Sequence, residues 1–261
     1  MSTAISATRR FFRIQYVSDL HLECYDKAVF PLLVKPAARY LALAGNIGQP
    51  AYKNFASFIN YAATNWDKVF YVAGNNEYHS TCYNRWVEAH IQDIVGKHRN
   101  VHFLNSANPS HYITKENVAI VGNTLWPRIQ DEPCASAYRM SATMSEQKME
   151  LARQIQYWAY QKIPVCVITH HIPSYALSHS KDYVSDCESL MRPPVHAWIY
   201  GRAAVCTGMI NTVFTAVNAR GYPNETVKNF SPTQCLEFSI DDDDGTDKPL
   251  QELTYSATLD L

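Results

Sequence analysis

Asp19-Leu20-His21 closes an apolar run that extends from Phe12 to Val17. In an extended chain the side chains at i and i+2 leave on one side, so a carboxylate oxygen and an imidazole nitrogen can reach one metal ion. Alone the pair is a weak signal, since Asp-x-His also suits a surface turn. Its company makes it informative. Tyr40 to Ala44 ends in Gly45-Asn46-Ile47-Gly48, and Val69 to Val72 ends in Gly74-Asn75-Asn76-Glu77. Val165 to Ile168 runs into Thr169-His170-His171, and Ala197 to Tyr200 into Gly201-Arg202. The pattern predicts a sheet whose strand ends face one common rim.

The elements that must hold this rim alternate. Tyr52, Phe55, Phe58, Ile59 and Ala62 fit one helical face, as do Trp86, Val87, Ile91, Ile94 and Val95 after a Ser80-Thr81 start signal. A third helix is expected from about Ser145 to Lys162, with Leu151, Ile155, Trp158 and Ala159 on one side. These stripes are core-facing, and none is assigned a cofactor. Pro127 to Thr143 lacks a clear period and reads as a surface loop with short helical pieces. Strand pattern returns at Thr212 to Val217 and Gln234 to Ile240, and Asp241 to Asp244 with Gly245 reads as a charged turn without EF-hand spacing. No repeat or low-complexity linker divides the chain. The expectation is α/β: a single layered α/β sandwich domain over residues 1–261, built of two mostly mixed sheets flanked by helices.

With 261 residues the chain can bury a substantial core. Its 23 basic and 24 acidic residues give a formal net charge of -1, too balanced to favour nucleic acid or an acidic membrane surface. Seven scattered cysteines without a Cys-x-x-Cys pair suit reduced thiols and argue against a thiolate zinc site. Arg9-Arg10 is followed by no apolar segment of signal length, and no stretch approaches the roughly 18 apolar residues of a membrane span. An intracellular protein, free in solution or part of an assembly, is expected. The sequon Asn224-Glu225-Thr226 then has no consequence.

The ordered blocks VSDLHLE, LALAGNIG, YVAGNNEYH, VITHHIPS and WIYGRAAV resemble the calcineurin-like metallophosphoesterases. GNTLW at 122–126 and NARGY at 218–222 look like segments of a subgroup with this layout, and the resemblance runs from about Phe12 to about Ile240. It implies the metallophosphoesterase fold and chemistry in which two dications about 3.5 to 4 Å apart clamp a phosphate ester and activate a water. The family pattern is Asp-x-His, Gly-Asp, Gly-Asn-His, a lone His, then Gly-His-x-His. Its Gly-Asp carboxylate bridges both metals, and the His after Gly-Asn assists the leaving group.

This sequence keeps Asp19 and His21 for the first metal and Asn75 and His170 for the second. Asn46 stands where the bridging Asp belongs, and Asn76 where the catalytic His belongs. Arg202 and Ala204 replace the final two histidines. A guanidinium about 4 Å from a dication would cost roughly 8 kcal/mol at an effective dielectric of 20. The second metal should therefore be excluded, and Asp19, His21 and Asn46 are too few for tight binding at the first. His79, His171, Glu77 and Cys206 lie near enough in sequence to be weighed as substitute ligands, each more readily read as a surface or hydrogen-bonding residue. For Arg202 the sequence leaves three placements: an ion pair with Asp19, an anion site, or solvent.

The leading expectation is a catalytically degenerate homologue, a pseudoenzyme that serves as a binding or structural protein with a protein partner or larger assembly, a virion component included. No cofactor is expected beyond a single weakly bound divalent metal such as manganese. The alternative is an active metal-dependent phosphohydrolase with a reduced or rearranged site, for example a one-metal phosphodiesterase using Asp19, His21 and a borrowed ligand.

Overall fold

The computed structural model describes residues 10–25, 29–78, 85–105, 112–127, 135–178, 183–202, 207–225, 227 and 229–240. Eleven strands lie within these residues: β1 (Phe11–Val17), β2 (Tyr40–Ala44), β3 (Lys68–Val72), β4 (Val101–Phe103), β5 (Tyr112–Ile113), β6 (Ala119–Asn123), β7 (Val165–Thr169), β8 (Val195–Tyr200), β9 (Gly208–Ile210), β10 (Val213–Val217) and β11 (Cys235–Ser239). Four helices accompany them: α1 (Phe30–Leu33), α2 (Lys53–Asn65), α3 (Arg85–Val95) and α4 (Ala135–Tyr160). None of the described helices is long and apolar enough to cross a membrane.

The strands form two mixed sheets, ordered β11-β1-β2-β3-β4 and β5-β6-β7-β8-β10-β9. Within each, the inner strands are parallel and antiparallel partners sit at an edge, β11 in the first sheet and β5 and β9 in the second. β2 and β7 are buried along their whole length, as strands covered on both faces must be. Phe12, Ile14, Tyr16, Phe70 and Val72 of the first sheet pack against Ile120, Cys166, Ile168 and Ile199 of the second. The outer face of the first sheet is closed by Phe55, Phe58, Ile59 and Ala62 of α2 and by Ile91, Ile94 and Val95 of α3. Leu151, Ile155 and Trp158 of α4 close the second. Each large side chain so buried contributes roughly 1.5–3 kcal/mol.

The expected strands and sandwich are present, with departures at the helices. Tyr52 precedes α2 and is 59% exposed, and Trp86 is 81% exposed one residue into α3. Both sit where a helix starts, before its inner face turns to the sheet. Ala159 is exposed in the last turn of α4. That helix also begins ten residues before Ser145, because Ser141, Thr143 and Ser145 interrupt the apolar stripe without interrupting the helix. The loop expected over Pro127 to Thr143 is thereby cut short at Ala135. Ser80-Thr81 and Asp241 to Asp244 lie outside the described residues.

Register brings the strand ends together. Val17 pairs with Leu43, and Ala44 with Val72, so β1, β2 and β3 stop at one level. Across the sandwich Ile168 pairs with Ile199, which sets the ends of β7 and β8 opposite them. Parallel strands with aligned carboxyl ends leave a crevice where ligands are held in open α/β sheets.

Candidate functional site

The rim is built from left-handed corners. Asp19, His21, Asn46 and Arg202 have φ of 54°, 49°, 52° and 56°, a region non-glycine residues enter only when their surroundings impose it. Gly45, at φ 84°, has no substitute, since a Cβ there would collide with the His170 ring. Glu77 fastens two of the corners. Its Oε2 accepts from the backbone N–H of Asn46 at 3.0 Å and Gly74 at 2.9 Å, and its Oε1 from Ile47 N–H at 2.7 Å and the Tyr71 hydroxyl at 3.1 Å. Burial pushes this carboxyl up to about 7 against the pull of those donors. Both oxygens are committed, so Glu77 is a brace between the ends of β2 and β3 and supplies no ligand.

At the centre lies Asn46. The backbone N–H of Asn76 donates to its Oδ1 at 2.9 Å, which fixes which end of the amide is oxygen. Its Nδ2 therefore faces the other way and donates to Asp19 Oδ1 at 2.9 Å, with Asn75 Oδ1 at 3.4 Å. The second Asp19 oxygen accepts from the backbone N–H of Arg202 at 2.8 Å. Asp19 is thus capped by N–H donors on both oxygens.

The Arg202 guanidinium goes elsewhere. Its Nη1 donates to Asn75 Oδ1 at 2.6 Å, and its carbon lies 3.4 Å from the Tyr183 ring centroid. Among the described residues no ion pair joins it to Asp19, so of the three placements left by the sequence the ion pair is not formed, and Arg202 meets Asp19 through its backbone instead. The physical reason is reach. The corner at Arg202 aims its N–H at Asp19 and projects the side chain along the second half of the rim.

His170 is fully buried, with Nδ1 2.9 Å from the Ala44 carbonyl and Nε2 3.0 Å from Asn75 Oδ1. Burial holds its pKa down to about 4, the Asp19 carboxylate opposing. Because the Ala44 carbonyl can only accept, the neutral ring carries its proton on Nδ1, and its Nε2 lone pair then faces the Asn75 oxygen, itself an acceptor, without a hydrogen bond between them. His171 is not a surface residue. It is buried among Trp126, His170 and Tyr183, and neither ring nitrogen has a hydrogen-bond partner among the described residues.

On the other flank, His21 is stacked under Tyr222 with centroids 3.8 Å apart at 15°. Its Nδ1 lies 3.2 Å from Glu23 Oε1 and 3.4 Å from Asn76 Nδ2. Asn76 also donates to the Tyr222 hydroxyl at 3.0 Å and accepts from Asn75 Nδ2 at 2.8 Å. The structure thus joins Asp19, His21, Asn46, Asn75, Asn76, His170 and Arg202 in one network. Ala204, Cys206 and His79 lie outside the described residues. Tyr183 and Tyr222 escaped sequence reasoning. Tyr222 ends the NARGY segment, whose Arg220 N–H bonds Ser18 O at 3.0 Å and so brings it to the rim, whereas nothing in the sequence marked Tyr183.

Metals would meet donors here. Two dications need lone pairs converging on open positions, and the central amide instead turns hydrogens toward Asp19 and Asn75. Among the described residues no group of three or more His, Cys, Asp or Glu side chains is placed to hold one ion. The donor set of the described residues does not fit the metal pair.

No family model matches the sequence. The chain is 26% identical over 273 residues to the uncharacterized protein L509 of Acanthamoeba polyphaga mimivirus, covering 86% of this chain and 96% of L509. Among solved structures, phosphopantetheinyl hydrolase from Mycobacterium tuberculosis matches with a TM-score of 0.63 at 14% identity, over 80% of this chain and 89% of its own. The protein TT1561 of Thermus thermophilus matches at 0.54 and 14% identity, over 81% and 90%.

Proposed function

We propose that this chain, which has the calcineurin-like metallophosphoesterase fold, is a catalytically degenerate homologue that works as a binding or structural component of a larger assembly. The observation that carries the reading is the Asn46 amide, whose Nδ2 hydrogens point at Asp19 and Asn75 where a shared cation would need oxygen. Asn76 supports it: an amide held by Tyr222 cannot take up or release a proton at neutral pH. The likeness to a mimivirus protein is in keeping with an assembly or virion part. The described cysteines, 24, 166, 187 and 235, are free thiols, which suits an intracellular setting. The balanced charge favours a protein partner over nucleic acid.

The test is elemental analysis after incubation with manganese and removal of free ion, alongside hydrolysis of an aryl phosphate monoester and an aryl phosphodiester. The expected result is no retained manganese and no manganese-stimulated hydrolysis. Two ions per chain, or hydrolysis abolished by Asp19→Ala, would restore the active phosphohydrolase.

A further inference from the structure

We infer that Asn46 and Arg202 together form an internal substitute for a metal pair, a clasp of N–H donors that holds the two sheets together at their strand ends. The inference rests on the proposed reading that wild-type protein binds no metal, and adds what replaced it. Asp19, Asn46 and Asn75 follow β1, β2 and β3 of the first sheet, while Arg202 follows β8 of the second. Acceptors brought this close repel unless positive charge or donors come between them. Here the donors are covalently attached. Asn46 Nδ2 lies between Asp19 and Asn75, Arg202 N–H closes the remaining Asp19 oxygen, and Arg202 Nη1 closes Asn75 across the sheet interface. Tyr183 backs the guanidinium and fixes its plane.

A clasp of this kind makes a specific statement about metal dependence. Restoring a carboxylate at its centre should break it and create a need for a cation in the same step. In Asn46→Asp the new carboxylate would stand against Asp19, at the 2.9 Å now bridged by a hydrogen bond. Like charges this close cannot both ionise without a counter-ion.

Thermal melts of wild type, N46D and R202M, each in EDTA and in excess manganese, test the clasp. Wild type should melt at the same temperature in both. N46D should melt roughly 5–10 °C lower in EDTA and recover part of that loss in manganese. R202M, which removes the guanidinium but keeps its bulk, should melt lower in both conditions, and it serves alone should N46D fail to fold. Variants that melt like wild type would overturn the clasp even with a protein that neither binds metal nor hydrolyses esters. A wild-type melt raised by manganese would overturn it together with the reading beneath it.

Discussion

One half of the rim keeps an acid and an imidazole, Asp19 and His21, with Tyr222 stacked on the imidazole, while the other keeps the neutral Asn75 and His170 and adds a guanidinium that lies against Tyr183. Both halves sit on left-handed corners and both are roofed by a half-exposed tyrosine, yet they are closed differently. The half with a buried carboxylate is satisfied by neutral donors, an amide and a backbone N–H. The half whose acceptors are neutral receives the charge. The comparison teaches that each half is compensated locally, as it must be when buried charge and unpaired acceptors are costly. Arg202 can therefore belong to the second half without an ion pair to Asp19, because its backbone already serves the first.

The largest expected effect falls on the residue that both halves use. Asn75→Leu removes the acceptor of Arg202 Nη1 and the donor to Asn76 Oδ1, leaving a half-buried guanidinium unpaired. A loss of about 3–4 kcal/mol is expected, read as a lower urea midpoint with an unchanged m-value. A loss under about 1 kcal/mol would mean that the two halves are not joined through Asn75.

Much of this was legible beforehand, for reasons that can be named. β2 and β7 announced themselves because strands buried on both faces are continuous apolar runs, and the polar residues after them marked the rim. The departures from the family pattern were equally visible, since they depend on residue type: position 46 holds an amide and position 202 a guanidinium. Direction was not visible. Which way the Asn46 amide turns is decided by the Asn76 backbone N–H, and where Arg202 points by its corner at φ 56°. Tyr183 was hidden for another reason: it reaches the rim from a segment outside the named strands, held by the isolated bridge from Val184 to Ile172.

The two roofs should separate the halves at smaller amplitude. Tyr183→Leu removes a face beneath a guanidinium and is expected to cost about 1–2 kcal/mol, whereas Tyr222→Leu removes a stack on the His21 ring and the hydroxyl that accepts from Asn76, and is expected to cost about 1 kcal/mol. Combining each with R202M sharpens the comparison. The Tyr183 effect should shrink in that background and the Tyr222 effect should stay the same. Equal shrinkage of both would show that the guanidinium supports the whole rim.

The smallest effect concerns an imidazole away from the rim, and it decides how acid sensitivity is assigned. His102, on β4, stacks against Phe70 with centroids 5.6 Å apart, and burial followed by the Lys68 charge lowers its pKa from 6.5 to about 4. Between those values the unfolded chain binds more protons than the folded one, so stability rises with pH there. The contribution is complete above pH 6.5 and is lost as pH falls toward 4. Solvent screening of this partly exposed ring reduces it to about 1 kcal/mol. His170 and His171 are shifted in the same direction by burial, so wild-type melts alone cannot divide the loss. In His102→Gln the sheet-edge share disappears, and the change that remains between pH 6.5 and 4 is the net of the buried rim, where Glu77, held up to about 7, gains stability as pH falls and opposes the loss at His170 and His171. A His102→Gln protein with no remaining loss would place the net acid sensitivity in the sheet edge, with Glu77 offsetting the two rim imidazoles.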